Sequence, residues 1–172
     1  MGYWPQGMPP GYTPARAGYL DELAAANMPD DLDHTHDAVC HVSGIFPANT
    51  NLTLTFTANA TANAWSAWAE ITDSGANTLS ALFAAADGHI SSLCIETLSE
   101  DDTLYMIEIA YGSAKTIITR GRFAGATKFE SPTEHLRFWA PAIPAGETVY
   151  YRMKTATSVA DTITGHLRYH TH

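Results

Sequence analysis

HLRFWAPAIPAGETVYYRMKTATSVADTITGHLRYHTH, residues 135–172, holds two alternating runs joined through turn residues. In the later run Ile163, Gly165, Leu167 and Tyr169 fall on one side, and Thr162, Thr164, His166, Arg168 and His170 on the other. That is the period of two of a half-buried strand. One face belongs to a core and the other meets water or a partner. A strand running to the final residue is expected to close a self-contained β-domain, with the surplus sequence on its N-terminal side.

Outward from this stretch the same pattern recurs. In NLTLTFTA, residues 51–58, Leu52, Leu54, Phe56 and Ala58 alternate with Asn51, Thr53, Thr55 and Thr57, a pattern suited to a pleated surface. Further strands are expected at 38–46, 65–72, 90–97, 103–111, 115–123, 135–140, 147–155 and 162–170, and 79–86 reads as either strand or short helix. Turn chemistry separates them at Asp73-Ser74-Gly75, Asp87-Gly88, Ser99-Glu100-Asp101-Asp102 and Pro144-Ala145-Gly146. Eight or nine short strands without long helices predict an all-β protein, an antiparallel β-sandwich or jelly roll.

The N-terminal 37 residues differ. MGYWPQGMPPGYTP, residues 1–14, is too rich in Gly and Pro for a regular element. It is expected to be an extended arm whose Tyr3, Trp4 and Tyr12 dock on a partner or fold back on their own domain. ARAGYLDELAAA, residues 15–26, carries an apolar stripe of Leu20, Leu23 and Ala24 and predicts one short α-helix, ended by Pro29. About three turns are marginal alone in water, so the stripe needs its own domain or symmetry copies to cover it. The expected organisation is an arm and helix over 1–37 and a β-sandwich domain over 38–172.

Composition narrows the function. Charged residues make up only 16% against 45% hydrophobic, and the formal net charge is -9. Nucleic-acid backbones are bound by clustered Lys and Arg, so no nucleic-acid partner is expected. No run approaches the ~18–20 apolar residues of a membrane span, and residues 1–10 lack a secretory signal, so cytosolic synthesis and no membrane partner are expected. Cys40 and Cys94 lack metal-site spacing and read as two thiols, bonded only if the assembled product leaves the cell.

Catalytic constellations are missing from the sequence. Gly112-Ser113-Ala114-Lys115-Thr116 lacks the glycine and the following helix of a phosphate loop. No GxSxG or HExxH motif is present. Glu100, Asp101 and Asp102 read as an acidic turn rather than a Ca²⁺ site. Histidine is the one ligand type in excess, at His34, His36, His41, His166, His170 and His172. His170 and His172 share a strand face and could present nitrogens to a transition metal, but a solvated edge that discourages further pairing explains them equally. The expectation is therefore no cofactor and no metal site. Trp65, Trp68, Phe138 and Trp139 are expected to fill the core. Trp68 or Trp139, if turned outward, would instead stack on a sugar ring.

Three segments carry a resemblance: Trp65-Ser66-Ala67-Trp68-Ala69-Glu70-Ile71, Ile107-Glu108-Ile109-Ala110-Tyr111-Gly112-Ser113-Ala114, and Ala142-Ile143-Pro144-Ala145-Gly146-Glu147 followed by Arg152. They resemble small β-sandwich structural proteins of tailed bacteriophages. Ala15-Arg16-Ala17-Gly18-Tyr19-Leu20-Asp21 is similar to a segment that precedes fibrous or oligomerising elements in phage virion proteins. The resemblance implies a capsid decoration or head-fibre protein on the virion surface, synthesised in the bacterial cytoplasm and held by its N-terminal segment. Its partner would be the major capsid protein or another virion protein, and the chain itself a homo-oligomer, with a homotrimer preferred.

The expected attachment residues are Tyr3, Trp4, Tyr12, Tyr19, Leu20 and Leu23. The face of His166, Arg168 and His170 is the expected subunit contact. The alternative is a receptor- or glycan-binding module of a phage tail or fibre, with Trp68 and Trp139 as stacking platforms. No enzyme is expected in either case.

Overall fold

The computed structural model describes residues 42–124 and 134–172. The expected arm, its helix, their attachment residues and Cys40 lie outside these. His41–His172 forms a compact unit of its own.

The described strands are β1 (Val42–Phe46), β2 (Leu54–Thr57), β3 (Ala69–Glu70), β4 (Gly88–Leu98), β5 (Leu104–Tyr111), β6 (Thr116–Ala124), β7 (Glu134–Arg137), β8 (Val149–Thr155) and β9 (Thr162–Thr171). They form two antiparallel sheets. In the first the order is β1-β9-β4-β7, and β2 pairs with β9 along the same edge as β1, further down the strand. In the second it is β3-β8-β5-β6. The chain crosses repeatedly between sheets, so that β9 lies beside β1 and β4, and β8 beside β3 and β5. This strand order is that of a jelly roll, and the all-β antiparallel sandwich expected from the alternation is what the chain forms.

Alternation explains the packing. Along β8 the burial follows a strict every-other-residue pattern, with Val149, Tyr151, Met153 and Thr155 inward. On β9 Ile163, Gly165 and Leu167 point inward. These meet Leu54, Phe56, Ile90, Leu93 and Ile95 of the first sheet and Tyr105, Ile107 and Ile109 of the second in one core. Phe56 of β2 and Tyr151 of β8 touch edge to face across the two sheets, with ring centroids 4.7 Å apart. Each fully buried Leu or Phe side chain contributes roughly 1.5–3 kcal/mol relative to exposure.

The ambiguous stretch 79–86 resolves as one helical turn, α1 (Leu79–Leu82). Thr78 caps it by accepting the Ala81 N–H at 3.3 Å, the usual task of a Thr at that position. Leu79 and Phe83 fill the end of the core. The Pro144-Ala145-Gly146 turn has Gly146 at φ 78° and closes through Glu147 N–H to Pro144 O at 3.3 Å. A positive φ there is what Gly supplies cheaply.

Three strands are shorter than the alternation predicts: the run at 135–140 forms β7 only as far as Arg137. The run at 65–72 contributes only Ala69–Glu70 to the sheet, and the run at 51–58 only Leu54–Thr57. Between them the backbone bonds irregularly to β8: Asn63 N–H to Thr155 O at 2.7 Å, and Ser66 N–H to Met153 O at 2.9 Å. The Asn59 side-chain amide donates to Trp65 O, and Ser66 Oγ accepts from the Met153 N–H, which completes that path. These bonds take the place of a regular ladder.

Candidate functional site

The outward face of the first sheet is built by β9 and its neighbours. Because side chains alternate, His166, Arg168, His170 and His172 share this face. The expected contact residues are thus brought together on one surface, each with different surroundings. His166 Nδ1 lies 2.9 Å from Glu96 Oε1 on β4. Arg168 is exposed, pairs in register with Ser92 and Ile45, and lines two shallow depressions with Ser91, Ser92, Arg137, Ser43 and Ile45.

His170 sits directly opposite His89 in the β4–β9 ladder. The two imidazoles stack, with centroids 4.9 Å apart and planes 5° from parallel. His172 lies edge-on to both, 4.8 Å from His89 and 5.2 Å from His170. One ligand nitrogen of each ring lies within 4.8 Å of the others. The sequence does not point to His89, since nothing in the chain says that 88–98 lies beside 162–171. The Asp87-Gly88 turn signal and the two alternating runs were legible, but the sheet order that makes them neighbours was not.

The outward face of the second sheet carries a different cluster. Glu108, set between the inward residues Ile107 and Ile109, pairs in register with Arg120 on one side and Arg152 on the other. It is fully buried, 0% exposed. Arg120 Nε donates to Glu108 Oε1 at 2.6 Å, and Nη2 of Arg120 contacts the same oxygen. Arg152 Nε donates to Oε2 at 2.6 Å, and its Nη2 lies equally close to that atom. The Arg152 guanidinium also lies over two indole rings, 4.7 Å from Trp65 and 4.5 Å from Trp68. Lys154 reaches Trp65 at 4.9 Å, and Lys115 lies 3.2 Å over the Tyr150 ring. Among the described residues no buried side-chain polar atom lacks a hydrogen-bond partner.

The aromatic expectations need correction. Phe138 is in the core, but Trp65 and Trp68 are half-buried outside it and Trp139 is 97% exposed. Tyr105, Phe56, Phe83 and the Leu and Ile residues fill the sandwich instead. The Trp65 and Trp68 rings cover cations on the far side of β8. Trp68 is therefore already engaged by Arg152, whereas Trp139 projects from the segment after β7.

Cys94 is buried, on β4. Residues 112–115 form the tight turn between β5 and β6, with Lys115 N–H bonded to Gly112 O at 3.2 Å. Asp101 and Asp102 sit exposed in the turn before β5. A scan against protein-family models, a search of curated proteins and a search of solved structures each returned no match.

Proposed function

We propose that this protein is a non-enzymatic structural component of a tailed-bacteriophage virion, a capsid decoration or head-fibre protein. It attaches through residues 1–37 and exposes its β-domain. The observation that carries the reading is the jelly-roll strand order, an architecture that recurs in viral capsid proteins. It joins the four sequence segments that resemble phage virion proteins and the aromatic-rich N-terminus with Tyr3, Trp4 and Tyr12.

In this reading the domain acts by adhesion and reinforcement. The outward face of β9, with His166, Arg168 and His170, is the contact between copies in a homotrimer. Particles assembled with a Trp4→Ala/Tyr12→Ala chain should lose occupancy while the chain keeps its β-type circular dichroism. Unchanged occupancy would refute the anchor. Light scattering on the intact chain should give three times the chain mass, and on an Arg168→Glu variant a lower one.

Trp139 favours a second reading. An indole left 97% exposed offers a flat apolar surface of the kind that stacks on sugar rings, and jelly rolls also include lectin domains. A glycan array with signal abolished by Trp139→Ala would support a receptor- or glycan-binding module. A blank array would leave the structural role standing.

A further inference from the structure

We propose that His89, His170 and His172 form a binding site for a divalent transition-metal ion of the zinc, nickel or copper class. The inference is independent of the proposed function, because it rests on the β4–β9 register and on the placement of the three rings.

Three geometric facts converge. First, His89 and His170 are direct cross-strand partners, and His172 follows His170 at the spacing that returns a strand side chain to the same face. Second, one nitrogen from each ring lies within 4.8 Å of the other two. A tetrahedral ion with metal–nitrogen bonds of about 2.0–2.1 Å holds its ligand nitrogens about 3.3–3.4 Å apart. Closing the remaining gap of roughly 1.5 Å needs side-chain torsion only. Third, the backbone carrying the rings is fixed: Gly88 pairs with Thr171, and His172 N–H bonds to Asp87 O at 3.1 Å. Gly88 also exchanges both of its backbone hydrogen bonds with Ile143, at 2.9 and 2.7 Å.

The tautomer suits the task. His89 Nδ1 lies 3.3 Å from the Ala140 carbonyl oxygen. A carbonyl only accepts, so this contact places the proton on Nδ1 and leaves the lone pair on Nε2. A second partner of this kind is what metal-bound histidines commonly have.

The donor set chooses the ion. Three imidazoles suit Zn²⁺, Ni²⁺, Cu²⁺ or Co²⁺, while Mg²⁺ and Ca²⁺ require oxygen ligands. In the single chain His89 and His170 are half-buried and His172 is exposed, so there the ion enters from solvent and its fourth position faces outward. Three histidines with one position held by water is the composition of an open zinc site. Bound there, the ion would tie the end of β9 to the start of β4.

The test uses the full chain, stripped with chelator and titrated with ZnCl₂ and, separately, CoCl₂. The expected result is an equivalent of metal whose Co²⁺ form has the intense visible absorption of a four-coordinate site. His89→Ala and His172→Ala should each weaken that equivalent by about tenfold or more, and His34→Ala/His36→Ala should leave it intact. His172 is exposed, so its replacement separates lost ligation from lost folding. Added Zn²⁺ should also raise the wild-type melting temperature with the logarithm of free metal, and not that of His172→Ala. The proposal is overturned if no equivalent binds, if the His89 and His172 variants bind as wild type does, or if the only equivalent disappears with His34 and His36.

Discussion

Replacing Arg152 with Met should destabilise the domain by about 3 kcal/mol, and the reason lies in what remains around Glu108. The Glu108 carboxylate is fully buried and divides its two oxygens between Arg120 and Arg152. Without Arg152, Oε2 loses both of its charge-assisted donors, worth roughly 1.5–3 kcal/mol. The guanidinium also leaves Trp65 and Trp68, at roughly 0.5–1 kcal/mol per cation–π contact. Arg120 cannot compensate, since its side chain is 59% exposed and screened, against 25% for Arg152. The sum is consistent with the roughly 3–5 kcal/mol of breaking a buried ion pair from one side.

The second half of the cycle is the sharper test. In Glu108→Met/Arg152→Met no buried charge is stranded, and the exposed Arg120 can hydrate. The double variant should regain most of the loss, giving a coupling of about 2 kcal/mol or more. Urea unfolding followed by far-ultraviolet circular dichroism would measure both, and the single variant should melt roughly 6–12 °C lower. An Arg152→Met variant within about 0.5 kcal/mol of wild type, or a double variant equal to the sum of the singles, would refute the reasoning.

Burial pushes the Tyr105 phenol above its ordinary value, the charges of Asp161 and Glu100 act in the same direction, and hydrogen bonding to Glu100 and Ser99 opposes them. A raised folded-state value means the folded state holds its proton longer, so this stability is complete below pH ~10 and is lost as pH rises further. Tyr105→Phe should flatten the alkaline limb of the stability profile and, by losing the bond to Glu100 O at 2.8 Å, cost about 1 kcal/mol at neutral pH; an unchanged alkaline limb would count against it. Gly165→Ala would set a methyl group on the Cys94 carbonyl of the neighbouring strand, and because the obstacle is backbone the variant should lose about 2 kcal/mol or more in chemical denaturation. Trp139→Ala should leave the unfolding midpoint within about 0.5 kcal/mol of wild type, since its ring is almost wholly in water; a larger change would mean that the indole packs on something.

The strands were legible because their inner residues repeat every second position. Ile163, Gly165 and Leu167 point inward as the alternation of β9 requires, and so do Leu54 and Phe56 of β2. The Pro144-Ala145-Gly146 turn was legible for a local reason too, a glycine where φ must be positive. Sheet order is not local, and two features depended on it. His89 becomes a neighbour of His170 only when β4 and β9 pair, and Glu108 is recognisable as a buried acid only when β6 and β8 bring an arginine to each side. The tryptophans misled for a related reason: an indole satisfies its apolar surface on a guanidinium as well as in a core, and composition cannot distinguish the two.

The position of β9 has a consequence for how the protein is made. Sheet formation on one side of the sandwich depends on a strand that leaves the ribosome after all its partners: β1, β2 and β4 emerge first, each with an edge that only β9 covers. A nascent chain therefore carries unpaired strand edges through the synthesis of every residue between Phe46 and Thr162. Such edges recruit other chains. Yield in cells should depend on temperature and expression rate more steeply than the finished domain's stability would suggest, with the losses appearing as aggregates of newly made chains.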